Sequence, residues 1–499
     1  MDTSKYYGEN GIHRVPLWRI GGFALNNTST NLYMFLMNFV AYYLAGWVGV
    51  TTVVAGSFSM FMRIWDGVTD PFVGMLVDKM DGKFGKNRPF IVVGNIILLV
   101  TSYILFHVTH NLPEGVRFPF FIVVSAIYYL GYTCQCVVTK SAQTCMTNDP
   151  KQRPLFSIFD GIYNTFLFAG LQVVATNVAT KYGGFTADPA VFHELWMMFA
   201  AMSFVFMCIA VFSIAPKDRK EFFGTGQAQK IGFKDYWDTL KNNRAIQMLV
   251  VSAGTDKLAM SMKGNSVMML VLCGLVIGDY QLSATLTALI SIPTTILMIL
   301  GIGGIATRLG QRKAMLIGSW GGIITNALLI VLWLFGDYKS MSAGNGVINW
   351  GFFAFAYVVL NILLGGFTGI SGNIVIPMTA DCADYEVYRT GKYVPGLMGT
   401  LFSFVDKLIS SFAPMLVSIG FAAIGFKDSL PDLTHAEMLA ANPNMLQATF
   451  MMTLALLYGS VVIGNLCNVV ALKFYPLTKE KMEEIQGEIA AIKAKAMQQ

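Results

Sequence analysis

Long apolar runs separated by short polar stretches make up most of this chain. A helix needs about 20 apolar residues to cross the hydrocarbon core of a bilayer. Runs of that length begin near Trp18, Val50, Pro89, Phe118, Leu155, Phe192, Ala245, Tyr280, Ala314, Val347, Leu397 and Gln447. The pattern therefore predicts an all-α polytopic membrane protein with twelve transmembrane helices.

The composition supports this prediction and excludes several classes of protein. Of the 499 residues, 55% are hydrophobic and only 13% are charged, whereas a soluble domain has roughly 25% charged residues. A cytosolic enzyme and a nucleic-acid-binding protein are therefore excluded. The sequence has no P-loop, catalytic triad or metal-ligand cluster, so we expect neither an enzyme nor an ATP-driven pump, and no cofactor beyond a coupling cation.

The placement of positive charge predicts the orientation of the chain. With the amino terminus inside, 26 of the 35 Lys and Arg residues fall in inner segments, 4 in outer loops and 5 within the apolar runs. Inner segments of membrane proteins are enriched in Lys and Arg. We therefore predict a multi-pass protein of the plasma (cytoplasmic) membrane with both termini in the cytoplasm.

Short signatures recur in the same order in the two halves of the chain. Met-Thr-Asn-Asp at 146–149 matches Met-Thr-Ala-Asp at 378–381, and Leu-Phe-Ser at 155–157 matches 401–403. Parallel six-helix repeats around a central cavity are typical of the major facilitator fold. The predicted organisation is a bundle at 1–215, a cytoplasmic loop at 216–244, a second bundle at 245–475 and an amphipathic tail at 476–499.

The second apolar run contains a group of acids that indicates a cation site. Asp66, Thr69 and Asp70 stand at positions i, i+3 and i+4, so they project from one face of a helix. Two neighbouring carboxylates repel unless a cation or a proton lies between them. We therefore expect Na+ or H+ to bind here. The alternative is a structural ion pair between Asp66 and Arg63.

Other polar residues in or beside the apolar runs are candidates for solute binding or gating. Ionisable groups inside a membrane are costly and indicate function. The solute candidates with this character are Lys140, Asp256, Lys263 and Lys407. Glycine-rich basic turns follow the second and eighth runs, and they predict gating residues at Asp78, Arg88 and Arg308; a purely orienting role for these charges is the alternative.

Several of these motifs together resemble one family. The residues Arg63-Ile-Trp-Asp66 and Asp70-Pro71, then Gly74, Asp78 and 85–89 (Gly-Lys-Asn-Arg-Pro), are similar to those of the glycoside–pentoside–hexuronide:cation symporters, typified by melibiose permease. The later segments 381–385, 390–391 and Lys407 extend the resemblance over nearly the whole chain. It implies a major facilitator fold and a coupling cation held by Asp66, Asp70 and Thr133. Thr69 replaces an asparagine of melibiose permease, which leaves Na+ and H+ both open.

The resemblance is weaker at the sugar site. Asn26 falls where melibiose permease has an aspartate, Cys136 replaces another aspartate, and Lys140 replaces a tryptophan. Gly372 falls near a further tryptophan position, and only Lys407 matches. The resemblance therefore implies a different solute in a similar frame, with Asn26, Lys140, Gly372 and Lys407 as candidate contacts.

The hypothesis that these observations favour is a cation-coupled symporter that imports a sugar, glycoside or uronide by alternating access. Its expected partners are a small polar solute and the lipid bilayer, with no nucleic acid, and it is expected to function as a monomer. The alternatives are a transporter of a lipid-like amphiphile and a membrane sensor that has lost transport. The intact pair Asp66 and Asp70 argues against the sensor, since a sensor has no need of a strained acid pair.

Overall fold

A computed structural model of the protein describes residues 14–79, 84–147, 152–219, 241–390 and 407–496. Helices of the first half correspond to the first six apolar runs. Their bounds are α1 Leu17–Met37, α2 Thr52–Lys79, α3 Arg88–Tyr103, α4 Glu114–Met146, α5 Arg153–Tyr182 and α6 Ala190–Ile214. Proline lies in the first turn of α3 and of α5, where a missing N–H costs no helical hydrogen bond.

Helices of the second half follow the remaining runs. Their bounds are α7 Arg244–Lys263, α8 Gln281–Gly301, α9 Gln311–Phe335, α10 Phe352–Thr390, α11 Phe412–Ala423, α12 Ser460–Lys473 and the tail helix α13 Lys479–Ala496. The start of the eleventh run, near Leu397, lies outside the described residues. The last run forms a span over Pro443–Lys473, in which Pro443–Leu454 and a π-helical turn Ala455–Gly459 precede α12.

Shorter elements connect or extend these helices. They are the helices Val40–Tyr43, Ser266–Met269, Thr307–Leu309 and Ala436–Ala441, the π-helical segments Leu44–Val48, Ile104–Val108, Leu270–Ile277 and Ile302–Ala306, and the 3-10 turns Thr109–Asn111, Tyr338–Met341 and Leu433–His435. Two short strands, β1 Ser342–Gly344 and β2 Val347–Ile348, form an antiparallel hairpin. These elements lie at helix ends, so the membrane-spanning structure is helical throughout the described ranges.

The apolar character of the helices agrees with a membrane protein. Within the described residues, eight helices are long and apolar enough to span a bilayer, and a ninth span results if α7 and Ser266–Ile277 count together despite a bend of 43°. The two helices α1 and α2 are also long enough, but they carry polar residues. These polar residues include the candidate site described below.

The described part of the chain divides into two compact units. The first combines Met1–Gln227 with Gly425–Met438, and the second combines Ala228–Ile424 with Leu439–Gln499. In the first unit α1 packs on α6, α3 packs on α4 and on α6, and α2 packs on α4. In the second unit α7 packs on α12, α9 packs on α10 and on α12, and α8 packs on α10. The pairings are the same after a shift of six helices, as expected for a duplicated six-helix unit.

Residues 425–438, which we call the outer strap, belong to the first unit although they lie between α11 and α12 in sequence. The Lys427 carbonyl accepts the N–H of Thr52 at 2.9 Å, and the Pro431 carbonyl accepts the Tyr42 hydroxyl at 3.0 Å. The buried carboxylate of Asp432 accepts both the N–H and the hydroxyl of Thr186, at 2.8 and 2.9 Å. The strap is therefore held by residues more than 200 positions away in sequence.

A glycine pair allows a close approach of α3 and α4 in the first unit. A Cβ on Gly94 of α3 would lie 3.0 Å from the carbonyl oxygen of Gly131 in α4, and a Cβ on Gly131 would lie 3.0 Å from that of Gly94. Small residues allow transmembrane helices to approach this closely. This contact places α4, which carries Thr133, firmly within the first unit.

Candidate functional site

The predicted cation site forms between α2 and α4 of the first unit. The Asp66 carboxylate is fully buried (0% exposed), and it accepts a hydrogen bond from the Thr133 hydroxyl at 2.7 Å. The Thr69 hydroxyl donates to the Asp66 carbonyl at 3.1 Å and lies 3.4 Å from the Thr133 hydroxyl. Asp70 is partly buried on the same helix, which continues through Pro71 to Lys79. The structure thus brings together Asp66, Thr69 and Thr133, three residues singled out from sequence.

Arg63 takes part in this site as a distant partner of Asp66. Its Nη1 lies 3.9 Å from Asp66 Oδ2, and its side chain is 27% exposed while that of Asp66 is fully buried. The guanidinium also lies 5.8 Å from the centre of the Tyr132 ring. The ion pair is therefore long and divided between two neighbours, while the short hydrogen bond to Asp66 comes from a hydroxyl.

A ladder of polar pairs between α1 and α5 was missed by sequence reasoning. The Asn27 amide donates to Asp160 Oδ1 at 2.7 Å, and one turn further the Asn31 amide donates to Asn164 Oδ1 at 2.7 Å. Asn27 and Asp160 line a small cavity of about 50 Å³ together with Thr139 of α4. One feature of the sequence could have indicated this ladder: Asn27 and Asn31 on α1 have the same i, i+4 spacing as Asp160 and Asn164 on α5.

Asn26 points away from that ladder. It is fully buried, and its amide donates to the Thr139 hydroxyl of α4 at 2.8 Å. Its side-chain oxygen has no partner among the described residues. Asn26 therefore makes an interhelical hydrogen bond beside the cavity that its neighbour Asn27 lines.

The solute candidates of the second unit lie on α7, on α10 and just before α11. Asp256 is 3% exposed, and a Cβ on Gly372 would lie 3.8 Å from its Oδ2. Lys263 is the last residue of α7, at the bend, and is partly buried, as is Lys407. Asp256 and Gly372 are thus neighbours. In the first unit, the Lys140 side chain lies outside the described part.

The gating candidate Arg88 contributes to a helix cap. Asp218, fully buried after α6, accepts the backbone N–H groups of Lys86, Asn87 and Arg88 at 2.9–3.1 Å, and Arg88 Nε lies 3.4 Å from its carboxylate. Gly85 has a φ of +90°, and a Cβ there would contact Asp218. An acid at a helix N-terminus accepts hydrogen bonds from N–H groups that have no acceptor within the helix, and its charge interacts favourably with the positive end of the helix dipole.

The other two gating candidates differ in their surroundings. Arg308 is exposed, and its carbonyl accepts the Lys479 ammonium of the tail helix at 3.2 Å. Beside it, a cavity of about 470 Å³ lies between the start of α9 and the tail helix. The side chain of Asp78 lies outside the described residues. The tail helix is docked through Ile485, which packs in the apolar core of the second unit.

Two repeated helical units, with a buried acid and hydroxyls inside the first, define a class of protein: a polytopic secondary transporter of the major facilitator fold. Among solved structures, that of the nucleoside transporter NupG has a TM-score of 0.59 over 92% of this chain and 100% of that chain. The identity is 13%, so this likeness shows the fold alone. The predicted all-α membrane protein of the major facilitator fold is confirmed, and the eight or nine apolar spans of the described residues are consistent with the predicted count of twelve helices.

The family described as MFS/sugar transport protein matches residues 22–479, and the chain belongs to it. The chain is 25% identical over 481 residues to the glucuronide carrier protein homolog of Escherichia coli K12, covering 95% of each chain. It is 23% identical over 407 residues to the isoprimeverose transporter of Lactiplantibacillus pentosus, covering 79% of this chain and 78% of that one.

These relationships confirm the resemblance to the glycoside–pentoside–hexuronide:cation symporters. The protein is a transporter and not an enzyme, and it is embedded in a membrane by several passes. Its relatives carry sugar-like solutes by name, which does not favour a lipid-like substrate or a transport-dead sensor. The roles of individual site residues stay predictions.

Proposed function

We propose that the protein couples the entry of Na+ or H+ to the import of a sugar, glycoside or uronide by alternating access. The observation that carries this proposal is the buried Asp66 carboxylate, which accepts its short hydrogen bond from Thr133 at 2.7 Å. A fully buried acid in a membrane protein is costly, and such acids mark ion pathways. The names of the curated relatives support a sugar-like solute.

The oxygen atoms around Asp66 suit a hard cation. Carboxylate and hydroxyl oxygens come from Asp66, Thr69 and Thr133, and Asp70 lies one turn along α2. The Thr69 and Thr133 hydroxyls lie beside the Asp66 carboxylate, so they can contribute ligands to a Na+ site. The same carboxylate can instead take a proton. Arg63 competes weakly at 3.9 Å.

The solute contacts that we propose in the first unit are those of the polar ladder. The Asp160 carboxylate, the Asn27 amide and the Thr139 hydroxyl line one part of the cavity of about 50 Å³. The other lining residues are Gln143 and the apolar Phe23, Ala24 and Phe156. That volume suits one or two hydroxyl substituents, since a water molecule takes roughly 30 Å³ in the liquid. These groups both accept and donate hydrogen bonds, which is what recognition of a sugar requires.

The remaining predicted residues stay part of the proposal. These are the solute contact Lys140 in the first unit and the solute contacts Lys263, Gly372 and Lys407 in the second. The gating residues are Asp78, Arg88 and Arg308. For Asn26 we propose support of the ladder through Thr139 rather than direct contact, because it is fully buried. We also propose that both termini are cytoplasmic in the plasma membrane and that the protein functions as a monomer.

Transport by purified protein in liposomes tests the coupling assignment. Asp66→Asn keeps the size of the side chain and removes its charge, so we expect cation-driven accumulation of a glucuronide or pentoside to be abolished while solute exchange persists. Separate Na+ and pH gradients identify the cation. Binding linkage is reciprocal, so solute should also tighten cation binding in the wild type.

The matched control is Asp188→Asn. Asp188 lies on the surface of the same unit and caps the start of α6 through the N–H of Ala190 at 2.8 Å. The Asp188→Asn variant should accumulate solute like the wild type. Undiminished gradient-driven accumulation by Asp66→Asn would contradict the assignment of Asp66 as the coupling site.

A further inference from the structure

The second unit contains a buried polar cluster around Asp256, formed by α7, α10 and α12. Its members are Ser252 and Asp256 of α7, Ser371 of α10 and Asn468 of α12, and each is at most 3% exposed. The Ser252 hydroxyl donates to Asn468 Oδ1 at 3.0 Å. The cluster lies in a different unit from Asp66 and from the polar ladder.

Asp256 is poorly satisfied within this cluster. Ser371 Oγ lies 3.5 Å from its Oδ2, and the same hydroxyl donates to the Thr368 carbonyl at the shorter distance of 3.0 Å. Neither Oδ1 of Asp256 nor the amide nitrogen of the neighbouring Asn468 has a partner within hydrogen-bond geometry among the described residues, although the Asn468 side chain does interact with the carboxyl group. A carboxylate normally accepts short hydrogen bonds on both oxygens.

The other buried acids of the described chain are bound much more strongly. Each accepts a hydrogen bond of 2.9 Å or less: Asp66 from Thr133, Asp218 from the Arg88 N–H, Asp279 from Ser342, Glu386 from Asn243 and Asp432 from Thr186. Asp256 differs from all five, because the hydrogen bond from Ser371 is 3.5 Å long and Oδ1 accepts none within hydrogen-bond geometry among the described residues. All six acids are buried, so burial alone does not account for the difference.

The charged groups on the packed helices do not compensate Asp256. On its own helix, Lys257 is adjacent and acts on it, but neighbouring residues of a helix face about 100° apart, and Lys257 is exposed. Arg244 and Lys263 lie at the ends of α7. The charges on the other helices are Arg312 and Lys313 (α9), Asp381, Asp384, Glu386 and Arg389 (α10), Lys407 before α11, and Lys473 (α12), all at or near helix ends.

The energetics then favour a neutral side chain. An ionised carboxylate buried without a partner costs many kcal/mol, and such a group takes up a proton instead. We propose that Asp256 is protonated in this structure, so that the cluster is a proton-binding site in the second unit. The proton bonds to a carboxyl oxygen and comes from water. Exposure of Asp256 to water in another conformation would solvate the carboxylate and release that proton.

This inference deepens the proposed function by adding a second ionisable group: Asp256, predicted from sequence as a solute contact, takes a proton-binding role instead. It rests on the proposed function only for its link to transport. Its direct test is infrared difference spectroscopy on the full-length protein in lipid at neutral pH. The carbonyl stretch of a protonated carboxylic acid should be present in the wild type and lost in Asp256→Asn. An unchanged band would show that Asp256 is ionised and would overturn the proposal.

Asp279→Asn is the matched control. Asp279 is also a buried acid of the second unit, but it accepts the Ser342 hydroxyl at 2.6 Å and the Gly346 N–H at 2.8 Å, so its variant should keep the band. Equal loss of the band in both variants would contradict the assignment.

Two further measurements guard against misfolding and separate this proposal from the coupling site. Asp256→Asn replaces a neutral acid with a neutral amide, so its melting temperature at neutral pH should match the wild type; a large fall would indicate a lost carboxylate and count against the proposal. Solute-driven proton movement, read with a pH indicator, should be smaller in Asp256→Asn than in the wild type by the proton that Asp256 contributes, while solute still tightens cation binding at Asp66. Unchanged proton movement would refute the link to transport, and loss of cation linkage in the wild type would instead refute the proposed function.

Discussion

Removal of the Asp218 carboxylate should destabilise the first unit more than removal of a surface cap. This buried group accepts three backbone N–H groups at the start of α3, the Asn87 amide at 3.0 Å and Arg88 Nε at 3.4 Å. An N-cap alone contributes about 0.5–2 kcal/mol, and each buried donor left without a partner costs about 1–3 kcal/mol. These contributions overlap, because one carboxylate serves all the donors.

We therefore expect Asp218→Ala to lower the free energy of unfolding by about 3–5 kcal/mol, the range found when one partner of a buried ion pair is removed. Asp218→Asn keeps an oxygen acceptor but loses the charge that makes such bonds about twice as strong. We expect Asp218→Asn to lower the free energy of unfolding roughly half as much as Asp218→Ala. Asp188→Asn changes an exposed cap, and it should lower the free energy of unfolding by about 1 kcal/mol or less.

Equilibrium unfolding of the purified protein measures these differences, and amide hydrogen exchange locates them. Exchange should increase most at residues 86–88, where the N–H groups lose their acceptor. If Asp218→Ala unfolds within about 1 kcal/mol of Asp188→Asn, or if exchange at 86–88 stays slow, the carboxylate does not hold the start of α3 as argued.

Two shorter predictions concern the cation site and the outer strap. Thr133→Val should weaken Na+ activation of transport roughly tenfold, since a hydrogen-bonding ligand of about 1.5 kcal/mol is lost; Thr176→Val, whose hydroxyl donates only within its own helix, should not change it, and equal effects would refute a ligand role. In the strap, His435 Nδ1 accepts the Asp432 N–H at 3.2 Å, and burial lowers the pKa of His435 below 6.5. Below pH 6.5 the unfolded chain therefore binds more protons, so wild-type stability should fall between pH 7 and about pH 5. His435→Gln should remove that fall; a parallel pH dependence of the two melting temperatures would contradict it.

The sequence by itself determined the fold class and the place of the coupling acids. Apolar runs of membrane-spanning length are local, so they could be counted without a structure, and the i, i+3, i+4 spacing of Asp66, Thr69 and Asp70 follows from helix geometry alone. Thr133 was reached through the resemblance to a family, because no local rule pairs a residue of α4 with one of α2.

Tertiary structure alone decided which polar groups meet. The neighbours Asn26 and Asn27 look equivalent in sequence. In the packed structure the Asn26 amide donates to Thr139, whereas the Asn27 amide donates to Asp160. Asp218 and Asp256 are both single acids in the sequence, and only the packed helices show that one accepts many donors while the other lacks a short one. The outer strap joins the first unit through residues hundreds of positions away. Such differences depend on distances between helices, and these distances are set by the packing of side chains that are far apart in sequence.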